Sequence, residues 1–169
     1  MITHPIIFVA ATALALIGPI AGAQTLNDRV RIEVRVLTDQ ERKEIKGSRA
    51  DSVTQKKTLQ IAVAGKPKSP ETRTGKWTVY GRDVKSKSIA VIESGEFKLE
   101  LPVAGQQKVD SKAASMTYTP EHAAGSGKGS KKVEAEGIKY IGYGVVVKDG
   151  ETVVSESYDP PGLKQEVAK

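Results

Sequence analysis

The sequence RVRIEVRV, residues 29–36, decides the fold class of this chain. Valine and isoleucine occupy every second position, and a charged residue stands at each position between them. Successive side chains of a β-strand point to opposite faces of the sheet, so this period of two predicts a strand with one buried and one wet face. We therefore expect a β-sheet with one face in a core.

The same alternation recurs along most of the chain and predicts six or seven further strands. They are expected at residues 53–64, 74–82, 88–92, 96–101, 108–119, 138–147 and 152–158. The inward positions predicted from the alternation include Leu59, Ile61 and Val63 in one strand and Trp77 and Val79 in the next. Strands without long helical segments between them predict an all-β fold.

The connections between the predicted strands are rich in turn-forming or polar residues. Residues 38–52 are expected to form a loop, Ser94-Gly95 a tight turn, and Asp149-Gly150 the two-residue turn of a hairpin. Residues 120–137 predict a flexible basic loop, since they are small and polar and contain the run GSGKGS. Residues 160–169, which begin Pro-Pro-Gly, are expected to be a C-terminal tail. Glycines 142 and 144 inside a strand indicate a β-bulge or the close approach of another group.

These strands predict a two-sheet antiparallel sandwich of seven to eight strands over residues 24–159. Trp77 on the third strand, and Tyr143, Val145 and Val147 leading through the Asp149-Gly150 turn, resemble immunoglobulin-like and fibronectin-III-like domains. The resemblance implies a β-sandwich architecture only, because the cysteine pair of immunoglobulins is absent. The chain also resembles small exported bacterial proteins of uncharacterised function, and that likeness implies no catalytic residue.

The first 23 residues, MITHPIIFVAATALALIGPIAGA, predict a signal peptide. They hold no acidic residue, no Lys and no Arg, and they end in Ala21-Gly22-Ala23, the small-x-small pattern that precedes a cleavage site. An uncleaved membrane anchor is the alternative, since the apolar stretch approaches the length of a span. We expect a secreted or periplasmic protein with no membrane span after cleavage. The absence of cysteine excludes disulfide bonds.

Positive charge is concentrated in residues 56–87. The whole chain has a net charge of +6, and this stretch alone carries nine basic residues against Glu71 and Asp83. One interpretation is a surface for an anionic partner. The other is a solubilising surface, since lysine commonly occupies the solvent side of strands.

Residues for catalysis and metal binding are scarce. His122 is the one histidine after the predicted signal, and zinc sites need three or four nitrogen or sulfur ligands, so neither a metal nor another cofactor is expected. The carboxylates of Glu96 and Glu100 could in principle form a hydrolase pair. They share a strand face opposite the predicted core residues Phe97, Leu99 and Leu101, which favours a solvated face.

Five residues of the basic stretch are the candidate ligand contacts: Lys76, Tyr80, Arg82, Lys85 and Lys87. Tyr80 is expected to point away from the core because it alternates with Trp77 and Val79. Basic residues beside an exposed aromatic ring suit a sugar or an acidic polymer, and nucleic acid is not expected for an exported protein.

We therefore expect a non-enzymatic exported β-sandwich that acts as a binding or spacer module of the cell envelope or exterior. Its partner is expected to be a protein or an anionic polymer of the envelope. The alternative is a module that binds anionic carbohydrate or another acidic polymer through residues 56–87. A carboxylate-based hydrolase is the enzymatic alternative.

Overall fold

The computed structural model describes residues 30–45, 48, 50–65, 71–101, 105–124 and 131–168. The predicted signal peptide, residues 1–23, lies outside the described residues. So do the proline-containing connection 66–70 and the glycine-rich segment 125–130.

The described residues form ten β-strands and one short helix. They are β1 (Arg31–Glu44), β2 (Asp51–Gly65), β3 (Glu71–Asp83), β4 (Ile89–Leu101), β5 (Gly105–Asp110), β6 (Ala114–Thr119), β7 (His122–Ala124), β8 (Lys131–Val133), β9 (Glu136–Asp149), β10 (Thr152–Asp159) and α1 (Leu163–Val167). All the pairings are antiparallel. The predicted all-β fold class is confirmed.

Eight of these strands form two layers that we call the first and the second sheet. In the first sheet, β2 pairs with β1 on one side and with β5 and β6 on the other. In the second sheet the order is β10, β9, β3 and β4. Two residue pairs between β6 and β9, Tyr118 with Gly137 and Thr119 with Glu136, join the layers. The architecture is a sandwich in which the sheets are continuous at one corner.

The side chain of Gln107 connects the layers at another corner. From β5, its Nε2 donates to the carbonyl oxygen of Lys98 at 2.9 Å, and its Oε1 accepts from the backbone N–H of Glu100 at 2.8 Å. Both Lys98 and Glu100 belong to β4. One side-chain amide thus replaces a backbone ladder where the edges of the two sheets meet.

The core lies between the two sheets, and the predicted inward positions supply most of it. Leu59, Val63, Val79, Leu99, Val145 and Val147 have no exposed side-chain surface, and Ile61 and Trp77 are nearly as buried. Most of these residues alternate with exposed or half-buried neighbours, because successive residues of a strand face opposite sides. The period of two therefore identified the core strands correctly.

The predicted loop at residues 38–52 is wrong. Strand β1 continues to Glu44, and its residues pair one by one with β2 as far as Asp51. Residues Leu37–Glu44 are exposed at every position. Because neither face of this half of β1 is buried, its sequence has no apolar alternation, and it therefore resembled a loop.

The predicted turn at Ser94-Gly95 is also wrong, because β4 runs through it without interruption. Gly95 pairs with Trp77 across β3 and β4. A Cβ placed on Gly95 would lie 2.8 Å from Cζ2 of Trp77, so the indole occupies the space of the missing side chain. The glycine permits this close approach. A bulge follows, because Val79 pairs with Glu93 whereas Tyr80 pairs with Val91, which makes Ile92 the extra residue of β4.

The hairpin of β9 and β10 is present, but its turn lies one residue further along than predicted. Asp149 pairs with Thr152, so Gly150 and Glu151 are the two central residues. Gly150 has φ of 55°. A positive φ at the first central position is what primed hairpin turns require, and glycine accommodates it.

The single strand predicted over residues 108–119 is two strands, β5 and β6, both paired with β2. At the break, Ser111 is buried and binds Leu59 of β2 twice. Its N–H donates to the Leu59 carbonyl oxygen at 2.9 Å, and its Oγ accepts from the Leu59 N–H at 2.8 Å. Ser111 thereby maintains the hydrogen bonds of β2 where the partner strand changes.

The predicted flexible loop 120–137 and the predicted tail 160–169 both contain regular secondary structure. Within residues 120–137, β7 pairs with β8 and β9 begins at Glu136, and only residues 125–130 lie outside the described part. The C-terminal tail contains α1, whose Leu163 is 2% exposed. Leu163 and Val167 are four residues apart, but so short a segment gives no sustained periodicity, so the sequence did not indicate that Leu163 would be buried.

Candidate functional site

A shallow groove runs across the outer face of the second sheet, and we call it the tyrosine groove. It has a volume of about 290 Å³ and is lined from all four strands of that sheet by Lys76, Thr78, Tyr80, Val91, Ser94, Gly144, Val146 and Tyr158. Lys76, Thr78 and Tyr80 alternate along β3 with the core residues Trp77 and Val79. The alternation therefore gives β3 both a core face and a groove face.

Gly144 gives the groove its shape. It pairs with Tyr158 across β9 and β10, and a Cβ placed on Gly144 would lie 2.5 Å from Cε1 of the Tyr158 ring. The ring thus lies over the bare backbone of β9. A register shift between Tyr80 and Gly81, opposite Gly142 and Tyr140, makes the predicted bulge in β9.

The groove continues toward α1 as a second hollow of about 350 Å³. This hollow is lined by Tyr80, Ile89, Val91, Glu166 and Val167. Tyr80 and Val91 border both hollows, so the two form one elongated depression. Val91 is 60% exposed, the largest exposed fraction among the large apolar side chains of the described residues.

The hydroxyl groups of Tyr80 and Tyr158 lie within electrostatic reach of each other. Burial raises the pKa of Tyr158 above its ordinary value, and the neighbouring Tyr80 and Glu156 raise it further. The Tyr158 phenol therefore keeps its proton and its hydrogen-bond donor. The groove presents two aromatic rings with hydroxyl groups beside one exposed valine.

The structure brings together two of the five predicted contact residues. Lys76 and Tyr80 line the groove. Arg82 lies on the same face of β3, but its guanidinium group forms an ion pair with Glu166 of α1. Lys76 and Tyr80 therefore lie in one groove, and Arg82 lies beside α1 outside its lining.

Lys85 and Lys87 lie in the turn between β3 and β4, outside the lining of the groove. The carboxylate of Asp83 accepts from the N–H of Lys85 at 2.9 Å and from the N–H of Ser86 at 2.7 Å. Lys87 has φ of 61°, and its Nζ donates to the carbonyl oxygen of Val84 at 2.7 Å. These contacts make both lysines part of a compact turn.

The basic stretch 56–87 does not form one face. Lys56 and Lys57 belong to β2 of the first sheet, whereas Lys76 and Arg82 belong to the second sheet. Arg73 is 7% exposed, and its Nε lies 4.0 Å from a carboxylate oxygen of Asp149. Nearness in sequence therefore did not produce a single cationic surface in the described part of the stretch.

Carboxylates face the cations at the groove. Lys76 lies opposite Glu96 in the register of β3 and β4. The guanidinium group of Arg82 forms an ion pair with Glu166. Lys164 forms an ion pair with Glu156 on β10, which raises the pKa of this lysine. The groove is consequently close to balanced in charge, and its aromatic rings are its most distinctive chemistry.

Tyr158 was missed as a groove residue by sequence reasoning. The residue opposite Tyr158 on β9 can be found by counting back from the hairpin turn. However, the turn lies one residue later than predicted, and the β9–β10 register shifts again between Val153 and Ser155. Only with both shifts does Tyr158 come opposite Gly144. A glycine in one strand and an aromatic residue in the next were the available signal.

A second group of ionisable residues lies where β2, β6 and β9 meet. Lys57 Nζ is 4.8 Å from the ring centroid of Tyr140, and Lys139 Nζ is 4.0 Å from that of Tyr118. Burial lowers the pKa of Lys57 and, with Asp159 and Tyr143 nearby, raises the pKa of Tyr140 to about 12. These are cation–π contacts that attach the two sheets to each other.

The residues considered for catalysis do not line the groove. Glu96 and Glu100 are exposed on β4, and His122 Nδ1 lies 3.0 Å from the carbonyl oxygen of Pro120. In the described part of the chain, no three His, Cys, Asp or Glu side chains are placed to hold a metal ion. The described part also contains no helix with the length and apolarity needed to cross a bilayer.

Comparisons with known proteins identify no family. No protein-family model matches the sequence, and no curated protein matches it. Among solved structures, the chain is similar to a protein from Akkermansia muciniphila known from its crystal structure. The identity is 16%, the match covers 85% of this chain and 77% of that one, and the TM-score is 0.30.

Proposed function

We propose that the protein is a non-enzymatic, exported binding module of the cell envelope or exterior, with the tyrosine groove as its contact surface. The observation that carries the proposal is the placement of Tyr80 and Tyr158 in one groove on the outer face of the second sheet. Tyrosine combines a large apolar surface with a hydrogen-bonding group, and this makes it effective at binding surfaces.

The chemistry of the groove suits a saccharide chain. The C–H face of a sugar ring packs against an aromatic ring, and its hydroxyl groups can bond to Tyr80, Tyr158, Thr78 and Ser94. The elongated shape, continued by the second hollow, matches a linear polymer better than a compact ligand. Because carboxylates face its cations, the groove favours an uncharged polysaccharide.

The alternative ligand, an anionic carbohydrate or another acidic polymer, is supported by three exposed lysines. Lys76 lies in the groove, and Lys85 and Lys87 lie in the turn at the end of β3. This ligand would depend on charge, and exposed charges are screened over about 8–10 Å at physiological ionic strength. Salt therefore separates the two ligand classes.

Calorimetric titration of the purified protein with neutral and anionic polysaccharides, at low and at physiological salt, tests the proposal. We expect binding to a neutral member that salt leaves unchanged. Tyr80→Ala and Tyr158→Ala should each weaken it about tenfold, which corresponds to about 1.4 kcal/mol. Lys76→Ala should have a smaller effect.

Lys98→Ala is the matched control, because Lys98 is exposed on the same face of the second sheet but does not line the groove. The Lys98→Ala variant should bind the neutral polysaccharide with the same affinity as the unchanged protein. Binding to anionic polymers alone, lost on addition of salt, would favour the alternative ligand. Absence of binding to every polysaccharide, or binding insensitive to both tyrosine substitutions, would overturn the groove as the contact surface.

A further inference from the structure

A second depression lies on the outer face of the first sheet, on the opposite side of the sandwich from the tyrosine groove. Its volume of about 470 Å³ is larger than either hollow of that groove. It also falls in the range of about 300–1,000 Å³ that is usual for ligand pockets. We call it the charged trough. The outward-facing side chains that line it are Glu33 and Arg35 of β1, Gln60 and Ala62 of β2, and Lys108 and Asp110 of β5.

The strand register arranges the four charged side chains in two rows across the trough. Read across β1, β2 and β5, the rows are Arg35–Gln60–Asp110 and Glu33–Ala62–Lys108. Each row therefore has a cation on one side and an anion on the other, and the order of the signs is reversed between the rows. The rows are two residues apart along each strand, which corresponds to about 6.4–6.8 Å.

The middle strand makes the floor of the trough. Gln60 and Ala62 are half-buried, whereas the charged residues on either side of them are exposed. Thr58 and Ala64, which face outward on the same strand, are short side chains at the two ends of this floor. The trough is therefore open in both directions along β2, and an extended chain can lie in it.

Three of the four charged side chains form no ion pair within the described part of the chain. They are Arg35, Lys108 and Asp110. Glu33 forms an ion pair with Arg31 at 3.0 Å. Both members of this pair are largely exposed, and an exposed pair of this kind contributes little free energy. All four charges are thus available to a ligand.

We infer that the charged trough binds a peptide segment that carries both ammonium and carboxylate side chains. The four charges sum to zero, so a ligand of one sign is attracted by two of them and repelled by the other two. Only a ligand with both signs gains from all four, and the repulsions exclude the others. Side chains i and i+2 on one side of an extended peptide have the same spacing as the two rows.

The inference does not depend on the tyrosine groove, because the two sites share no residue. A polysaccharide that fails to bind the groove would therefore leave the charged trough untouched, and a peptide that fails to bind the trough would leave the groove untouched.

Nuclear magnetic resonance titration of the isotope-labelled protein with three peptides of equal length tests the inference. One repeats Glu-Glu-Lys-Lys, so that neighbours on each side of the extended chain have opposite charge, as they do along each wall of the trough. The other two contain only Glu or only Lys. We expect the mixed peptide to shift the backbone amide signals of Gln60 and Ala62. It should bind about fivefold more tightly than either single-sign peptide.

Asp110→Lys should change the preference of the trough. Three cations then face one anion, so the mixed peptide should bind about tenfold more weakly and the Glu peptide more tightly. Loss of folding would weaken both, and circular dichroism verifies that the fold is retained.

Glu41→Lys is the matched control. It makes the same change in net charge on the same face of the first sheet, but Glu41 does not line the trough. It lies six residues from Arg35 along β1, about 20 Å at 3.3 Å per residue. This exceeds the screening length of about 8–10 Å at physiological ionic strength, so both affinities should be unchanged.

Three results would overturn the inference. They are amide signals of Gln60 and Ala62 that the mixed peptide leaves unchanged, a single-sign peptide that binds the unchanged protein as tightly as the mixed one, and equal effects of Asp110→Lys and Glu41→Lys.

Discussion

Trp77 and Gly95 face each other across β3 and β4, and the indole fills the space that a side chain at position 95 would need. The neighbouring pair repeats the arrangement in the opposite sense, since a Cβ on Gly75 would lie 2.0 Å from Cζ of Phe97. Gly144 and Tyr158 do the same on the outer face of the sheet. An aromatic ring over a cross-strand glycine is thus the recurrent packing unit of the second sheet.

The first prediction concerns Gly95. Gly95→Ala should destabilise the protein by about 1–3 kcal/mol, because the new methyl group forces the indole of Trp77 out of its position in a packed core. Urea denaturation followed by tryptophan fluorescence measures the change, and Trp77 is the single tryptophan. Gly162→Ala is the control, since a Cβ there meets no atom within 4 Å. Equal stabilities of the two variants would contradict the proposed packing.

The second prediction concerns Ser111. Ser111→Ala removes the acceptor for the N–H of Leu59 and leaves that group without its partner at a fully buried position. The expected loss in the free energy of unfolding is about 1–3 kcal/mol. Ser115→Ala, at an exposed position on β6, should change it little. Hydrogen exchange at the Leu59 amide should also accelerate in the Ser111 variant, and unchanged protection would refute its role.

The third prediction concerns the helix that replaces the expected tail. Leu163→Ala should cost about 2–5 kcal/mol, as do other truncations of buried leucine. Gln165→Ala, exposed on the same helix, provides the comparison. Thermal unfolding of both variants measures the difference. A Leu163 variant as stable as the unchanged protein would mean that α1 does not contribute to the core.

The fourth prediction concerns acid stability. Hydrogen bonds from Ser86, with contributions from Lys85, lower the pKa of Asp83 below its usual 3.8. Because the folded-state pKa is lowered, the ionised carboxylate favours the folded state above the unfolded value. That contribution is lost as the pH falls below about 4 and through the lower folded value.

Asp83→Asn is the variant that tests this contribution. It keeps an acceptor oxygen but removes the charge, so its unfolding midpoint should depend less on pH in that range than the midpoint of the unchanged protein. Asp110→Asn, on β5, serves as the charge-matched control. Parallel pH profiles for the Asp83 variant and the unchanged protein would contradict the assignment.

The strands that border the core could be predicted from the sequence, whereas the exposed strands could not. Leu59, Ile61 and Val63 are large apolar residues that alternate with Gln60 and Ala62, because one face of β2 is buried in the core. Neither face of the outer half of β1 is buried, so its residues show no apolar alternation and the sequence predicted a loop there. Alternation reports burial, and it indicates a strand only where one side of that strand is buried.

The candidate site was predictable only in part for a related reason. The direction of Tyr80 follows from the alternation of Trp77 and Val79, and Lys76 follows with it. Tyr158 joins them through the register of another hairpin, which depends on a turn position and a bulge. Lys85 and Lys87 are near Tyr80 in sequence but belong to a turn that Asp83 organises.

The two corners at which the sheets meet differ in strength, so we expect the sheets to separate more easily at one corner than at the other. At the β6–β9 corner the layers share a backbone ladder, whereas at the β4–β5 corner the amide of Gln107 provides two hydrogen bonds beside the connection 102–104, which links the end of β4 to the start of β5. Opening at Gln107 breaks two bonds of one flexible side chain and leaves each strand paired within its own sheet. The two sheets are therefore joined by main-chain hydrogen bonds on one side, and on the other by one side-chain amide next to a three-residue connection.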